Sequence, residues 1–187
     1  DSKEQAMIIN EVFTNTKQPL EVWIKVNSGL NRVGVEQNEE VVTLAKYIKT
    51  LPNLNLSGIF THAGHAYGAT SFDQIDVIAD EEANAVLKSA ALCEAEGIRI
   101  KHRSIGSTPT FKRAGKVPGI TEIRPGNAVF YDMIQVGLGV AKKEQCALTV
   151  LTTVSAIKKD RMIIDAGSKT LALDRGAHGI SSIVGHG

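Results

Sequence analysis

The feature that most constrains this fold is a rhythm. A β-rich run leads into a glycine-bearing or polar loop, an amphipathic stretch follows, and the cycle begins again. Residues 19–26, "PLEVWIKV", are dense in β-branched and aromatic side chains and read as a strand. The loop "NSGLNRVG" follows, then a helix over about residues 37–51. Its apolar positions Val41, Leu44, Ile48 and Leu51 recur at helical spacing. "LPNLN" breaks that helix, and "LNLSGIFTH" is a second strand ending at His62. Ser71 is placed to cap a long helix running to about Glu96, with Ile75, Ile78, Val86, Ala90 and Cys93 as its buried stripe and Gly97 as its stop. "IRIKHRSI" reads as a third strand before "GSTPT" and a short helix, and "ITEIRP" as a fourth before "GNAVFYD". Ahead of them all, "SKEQAMIINEVFTN" reads as helix, with Ala6, Ile9 and Phe13 on one side.

Strands alternating with helices imply parallel βα units. A doubly wound sheet fits the same rhythm but gathers its ligand loops at one switch point. Here functional-looking loops follow four successive strands, which favours a barrel with its site on the rim they share. The texture changes after about Val140. "QCALTVLTTVSAIKKDRMIIDAGSKTLALD" has two β-rich runs around a polar turn at residues 158–160, with no helical pattern between them. The expected class is therefore α/β: a partial parallel (β/α)8 barrel over residues 1–140, then the beginning of an antiparallel β domain over 141–187.

Twenty-one basic residues against 20 acidic leave a net charge of +1, so there is no electrostatic case for a nucleic-acid partner. No apolar run approaches a membrane span. The N-terminal stretch lacks the pattern of a secretory signal, and the two cysteines, Cys93 and Cys146, are isolated. A cytoplasmic location is the expectation. The chain opens on what reads as a mid-protein helix and closes on "SSIVGHG" just after a strand-like stretch, so a fragment of a longer protein is expected.

Several loops carry candidate chemistry. In "GSTPT", Ser107 and Thr108 offer hydroxyls beside a helix start, a combination that holds phosphate, although taken alone it reads first as a helix N-cap. "RPGNA" places Gly126 where backbone approaches closely, next to Asn127, and it also reads as a plain turn. Arg32 either contacts a ligand at the rim or pairs with a surface carboxylate. Lys25 either points inward, where it needs a partner, or lies on the surface. His62 and His65 suggest a metal pair, but zinc needs three or four ligands. His102, His178 and His186 have no matching spacing, so no metal is expected in this segment.

Taken in order, "KVNSGLNRVG", "GIFTHAGHAY", "SIGSTPT" and "EIRPGNAVFYD" resemble the fold-type III pyridoxal phosphate enzymes, the alanine-racemase-like barrels. The "HAGHAY" and "GSTPT" variants, with "DAGSKTL" later, look most like the D-threonine aldolase and D-serine dehydratase branch. The resemblance covers residues 20–173. It implies pyridoxal 5′-phosphate as cofactor and a lyase that cleaves or dehydrates a β-hydroxy D-amino acid. A racemase of the same fold and a non-catalytic pyridoxal phosphate-binding protein are the alternatives.

The resemblance also implies roles. Arg32 matches an arginine near the cofactor's phenolic oxygen, and His62 a histidine beside the ring. Tyr67 lies in the branch-specific loop, in reach of cofactor or substrate. His62 and Tyr67 are thus the catalytic candidates. Ser107 and Thr108, with the backbones of Gly126 and Asn127, match phosphate-binding positions. Arg124 matches the arginine that faces the pyridine nitrogen in alanine racemases. The Schiff-base lysine of the family falls upstream of Asp1, and Lys25 is not that lysine. The branch's divalent metal is expected in the full-length parent through ligands beyond Gly187, because His186 has no partner for it. A homodimer is expected for the full-length form, and the 187 residues alone are expected to be inactive.

Overall fold

The computed structural model of the chain describes residues 1–171. Two compact units are distinguished: Asp1–Ala66 with Asp73–Gly126, and Tyr67–Phe72 with the described residues from Asn127 onward.

The first unit is built on a parallel sheet. Helix α1 (Lys3–Val12) precedes strand β1 (Leu20–Asn27), a two-residue β2 (Val35–Glu36), helix α2 (Glu39–Lys49) and β3 (Leu54–Phe60). A 3-10 turn (Gly64–Gly68) leads to the long α3 (Phe72–Ala95), then β4 (His102–Ile105), the short α4 (Phe111–Ala114) and β5 (Glu122–Ile123). The order is β2-β1-β3-β4-β5, all parallel. The main strands lie side by side in chain order. That is the barrel pattern, because a doubly wound sheet reverses direction at its switch point.

Alternation along β1 decides the two faces. Ile24 and Val26 are buried in a core shared with Val41, Leu44, Ala45 and Ile48 of α2, Leu56 and Ile59 of β3, and Ala79, Ala83, Val86 and Ala90 of α3. The intervening residues Trp23 and Lys25 therefore face the other side of the sheet. The register carries Lys25 to Phe60, Phe60 to Ser104 and Ser104 to Glu122, one row across four strands. The next row toward the strand starts is Trp23, Gly58 and His102. There the Trp23 and His102 rings stack at 5.0 Å. Gly58 has no side chain because a Cβ would sit 2.8 Å from that of His102 and 2.9 Å from the Trp23 ring.

Helix ends follow local chemistry. Gly97 stops α3 at φ +74, with Ile98 N–H donating to Cys93 O and Gly97 N–H to Glu94 O, the paired bonds of a Schellman cap. Arg113 of α4 forks onto Asp80 at 2.8 and 2.6 Å and reaches Asp76 at 3.0 Å, fastening this one-turn helix to α3.

In the second unit, α5 (Met133–Gly137) is followed by a 3-10 turn (Lys143–Gln145) and the antiparallel pair β6 (Val154–Ile157) and β7 (Met162–Ile164). The hairpin expectation holds, with its turn at residues 158–160. The strands are shorter than the sequence suggests, however. Residues 146–153 are β-rich in composition but form no strand, and neither do residues 98–101 ahead of β4. Composition marks a capacity to pair, not a ladder: Ile98 gives its N–H to the α3 cap, and Lys101 makes one bond to the Ser57 carbonyl of β3 at 2.9 Å, which falls short of a strand. Helix α5 was not anticipated. Its signal is "DMIQ": Asp132 caps it by accepting from the Gln135 N–H at 2.9 Å. The expectations that rest on His178, His186 and the closing "SSIVGHG" lie outside the described residues.

Candidate active site

In the first unit, a groove of about 590 Å³ is lined by Trp23, Lys25, Arg32, Phe60, His62 and Arg124, among others. Most of these residues come from strand ends or from the loops just after them, as the barrel reading anticipates. The loop after β1 is organised by Asn27, whose Oδ1 accepts from the Gly29 and Asn31 N–H groups, both at 3.1 Å. Its Nδ2 donates to Asn31 Oδ1 and Glu36 Oε1, both at 2.8 Å. Gly34 closes the loop at φ +114, where a Cβ would lie 2.8 Å from the Asn27 nitrogen. This arrangement presents Arg32, which is exposed at the groove and, among the described residues, makes no ion pair with a carboxylate.

Lys25 points inward. Its Nζ lies 4.9 Å from the centre of the Phe60 ring, and the Arg124 guanidinium carbon lies 5.1 Å from that centre. Burial lowers the Lys25 ammonium from 10.5 to about 8, repulsion from Arg124 and Arg32 adds to the drop, and Glu82 opposes it. Arg124 is also held below its ordinary value, first by burial, against Glu122 and Glu82. Its Nε donates to Ser104 Oγ at 2.8 Å and its Nη2 to the Thr61 carbonyl, while Ser104 Oγ donates to Glu122 Oε1 at 2.8 Å. The groove is thus a cationic cleft with an aromatic floor, suited to an anionic aromatic ligand.

His62 lies two residues beyond β3, and its Nδ1 is hydrogen-bonded to the Gly106 carbonyl. A carbonyl only accepts, so Nδ1 carries a proton and Nε2 is left as the basic nitrogen of the neutral ring. The His65 ring instead packs on the β1 loop: a Cβ on Gly29 would meet its Nε2 at 2.9 Å. Burial lowers the His65 pKa, with Glu82 opposing, and its buried Nδ1 has no hydrogen-bond partner among the described residues. No group of three or more His, Cys, Asp or Glu suited to a metal occurs among the described residues.

Ser107 and Thr108 are both buried in the loop after β4. Helix α4 has only four residues, so its dipole is slight and the anion argument shifts to the side chains. Ser107 Oγ is buried with no hydrogen-bond partner among the described residues. A buried hydroxyl in that state costs free energy until a ligand atom meets it. A Cβ built on Gly126 would meet nothing within 4 Å, so the backbone there is open to close approach. The loop therefore fits a phosphate group. Tyr67 and Asn127 belong to the second unit, where the Asn127 side chain donates to Asp132 at 2.6 Å.

Sequence reasoning missed Glu82. It lies on the α3 stripe, four residues after Ile78 and four before Val86, and is fully buried. A carboxylate at an apolar stripe position was the available signal, since a buried charge must be satisfied by specific partners. Phe60, the aromatic floor, was missed because nothing local shows which face of β3 it takes.

The alanine racemase N-terminal domain model matches residues 1–133. D-threo-3-hydroxyaspartate dehydratase of Delftia sp. (strain HT23) is 33% identical over 180 residues, covering 94% of this chain and 47% of that protein. D-serine dehydratase of Dictyostelium discoideum is 31% identical over 168 residues, covering 83% and 42%. The solved structure of the Delftia dehydratase superposes with a TM-score of 0.82 at 30% identity, over 94% of this chain and 47% of that one. The chain spans about half the length of the curated relatives it matches.

Proposed function

This chain belongs to the alanine racemase N-terminal domain family, with the fold of the fold-type III pyridoxal phosphate enzymes, and from that premise we propose that it is part of a pyridoxal phosphate-dependent lyase. The substrate is a β-hydroxy D-amino acid, which the full-length protein dehydrates, the reaction that the names of the two dehydratase relatives suggest, or cleaves in the manner of an aldolase. The observation that carries the reading is the Ser107 Oγ in the loop after β4, buried and without a hydrogen-bond partner among the described residues. Bound there, the cofactor would supply an electron sink for a bond broken at the substrate's Cα.

This chain's residues have distinct tasks in that reading. Ser107 and Thr108, with the backbones of Gly126 and Asn127, hold the phosphate. Arg32 and Arg124 orient the ring from the cationic groove. His62 accepts or returns a proton at Nε2, because the Gly106 carbonyl keeps the other proton on Nδ1. Tyr67 is the second catalytic candidate, in reach of cofactor or substrate. A divalent metal belongs to the full-length protein through ligands outside this chain. We also propose a partial (β/α)8 barrel over residues 1–140, the beginning of a C-terminal β domain at 141, a homodimer for the full-length form and a cytoplasmic location.

The test uses the full-length protein. Its absorbance should show bound pyridoxal phosphate, and D-threonine, D-serine or D-threo-3-hydroxyaspartate should be turned over, assayed with and without divalent metal. A protein that takes up no cofactor refutes the reading. Cofactor uptake with interconversion of D- and L-alanine alone would make it a racemase, and uptake without turnover would make it a binding protein.

A further inference from the structure

We infer that Glu82 is a positioning residue that holds the His62 loop and the Ser107–Thr108 loop at one fixed separation; the inference rests on the reading above. One oxygen, Oε1, accepts from the Ala63 N–H and the Gly106 N–H, each at 3.1 Å. The other, Oε2, accepts from the Thr110 hydroxyl at 2.6 Å. Ala63 directly follows His62, and Gly106 directly precedes Ser107. Thr110 ends the second loop, where α4 begins.

Gly106 is therefore gripped twice. Its N–H goes to Glu82 and its carbonyl accepts from His62 Nδ1. One carboxylate, standing on a different element, ties together the base and the hydroxyls of the cradle. Packing alone would place an aliphatic side chain at this stripe position. A buried carboxylate is costly unless each oxygen is met by a donor, and here three donors from the two loops meet it. Its charge also faces Lys25, Arg124 and His65, so it is the acidic counterweight beneath the cationic groove.

The test compares Glu82→Gln and Glu82→Leu in the full-length protein, stripped of cofactor. Glutamine keeps an acceptor for both N–H groups, and its amide can donate to the Thr110 hydroxyl. Leucine fills the volume and accepts nothing. Two readouts are taken: pyridoxal 5′-phosphate affinity by absorbance titration, with inorganic phosphate as competitor, and the His62 tautomer by nitrogen NMR. Glu82→Leu should lose at least tenfold in cofactor affinity and lose the single Nδ1–H tautomer. Glu82→Gln should stay within about threefold and keep that tautomer. A leucine variant that keeps both properties overturns the inference, and so does a failure of both variants to fold. Should only the leucine variant fail to fold, Thr110→Val, which removes the Oε2 bond alone, decides: a threefold or greater loss supports the inference and no loss overturns it. If the wild type takes up no pyridoxal phosphate, the proposed function falls, and the tautomer readout still judges Glu82.

Discussion

Replacing Lys25 by methionine should make the ligand-free protein more stable at neutral pH, against the usual expectation for losing a charged side chain. Lys25 is partly buried with two arginines as neighbours, and its ammonium falls from 10.5 to about 8. At about 1.4 kcal/mol per pH unit, that drop corresponds to about 3.4 kcal/mol. The side chain keeps some contact with water, so a discounted cost of about 1–2 kcal/mol is the realistic figure. Methionine also gives up the cation–ring contact with Phe60, about 0.5–1 kcal/mol. The net gain is about 1 kcal/mol, or about 2–4 °C in melting temperature for a chain of this size.

The pH dependence gives a sharper signature. Below pH 8 the folded and unfolded chains both hold the Lys25 proton, and the full cost of burial is present. Between pH 8 and 10.5 the unfolded chain holds a proton that the folded chain has released, so this lysine makes stability rise with pH. Above 10.5 the cost is gone. Urea unfolding from pH 7 to 11 should therefore show the advantage of Lys25→Met fading across that window. A variant less stable than wild type at pH 7, or a Lys25 ammonium seen by NMR to titrate near 10.5, would refute the reasoning.

Four further outcomes are expected. Gly34→Ala should cost about 2 kcal/mol or more, because φ is +114 and the new Cβ would meet backbone at 2.8 Å. Gly97→Ala, at φ +74 in open space, should cost only about 1 kcal/mol, and urea midpoints of the two variants make the comparison. Ser107→Ala should leave the melting temperature unchanged or slightly raised, since it removes a buried hydroxyl that has no partner among the described residues, yet weaken pyridoxal phosphate binding by titration. Asp132→Ala should cost about 1 kcal/mol through the lost cap of α5, measured by thermal unfolding.

The elements legible in the sequence are those whose signal is local and long. The stripe of α2, the 24-residue α3 with its Gly97 stop, and the β-branched run of β1 all stand near their expected places. Residues 98–101 and 146–153 carried the same β-rich composition and form no strand, because pairing is decided by a distant backbone. The loops of the candidate site were marked in the sequence by their motifs. Their internal wiring was not, because Asn27 braces one loop and Glu82 braces two others across 19 to 28 residues of chain.

What this sequence determined by itself is the order of βα units, the parallel barrel class and the family to which its loops point. Each follows from periodicity, or from motifs that keep their place along the chain. Only the tertiary structure decided that Lys25 faces inward over Phe60, that the His62 Nδ1 is bound to the Gly106 carbonyl, and that a glutamate on an apolar stripe accepts bonds from two loops. Those are statements about which polar groups find partners once water is excluded. Such pairings depend on residues far apart in the chain, and no local pattern records them.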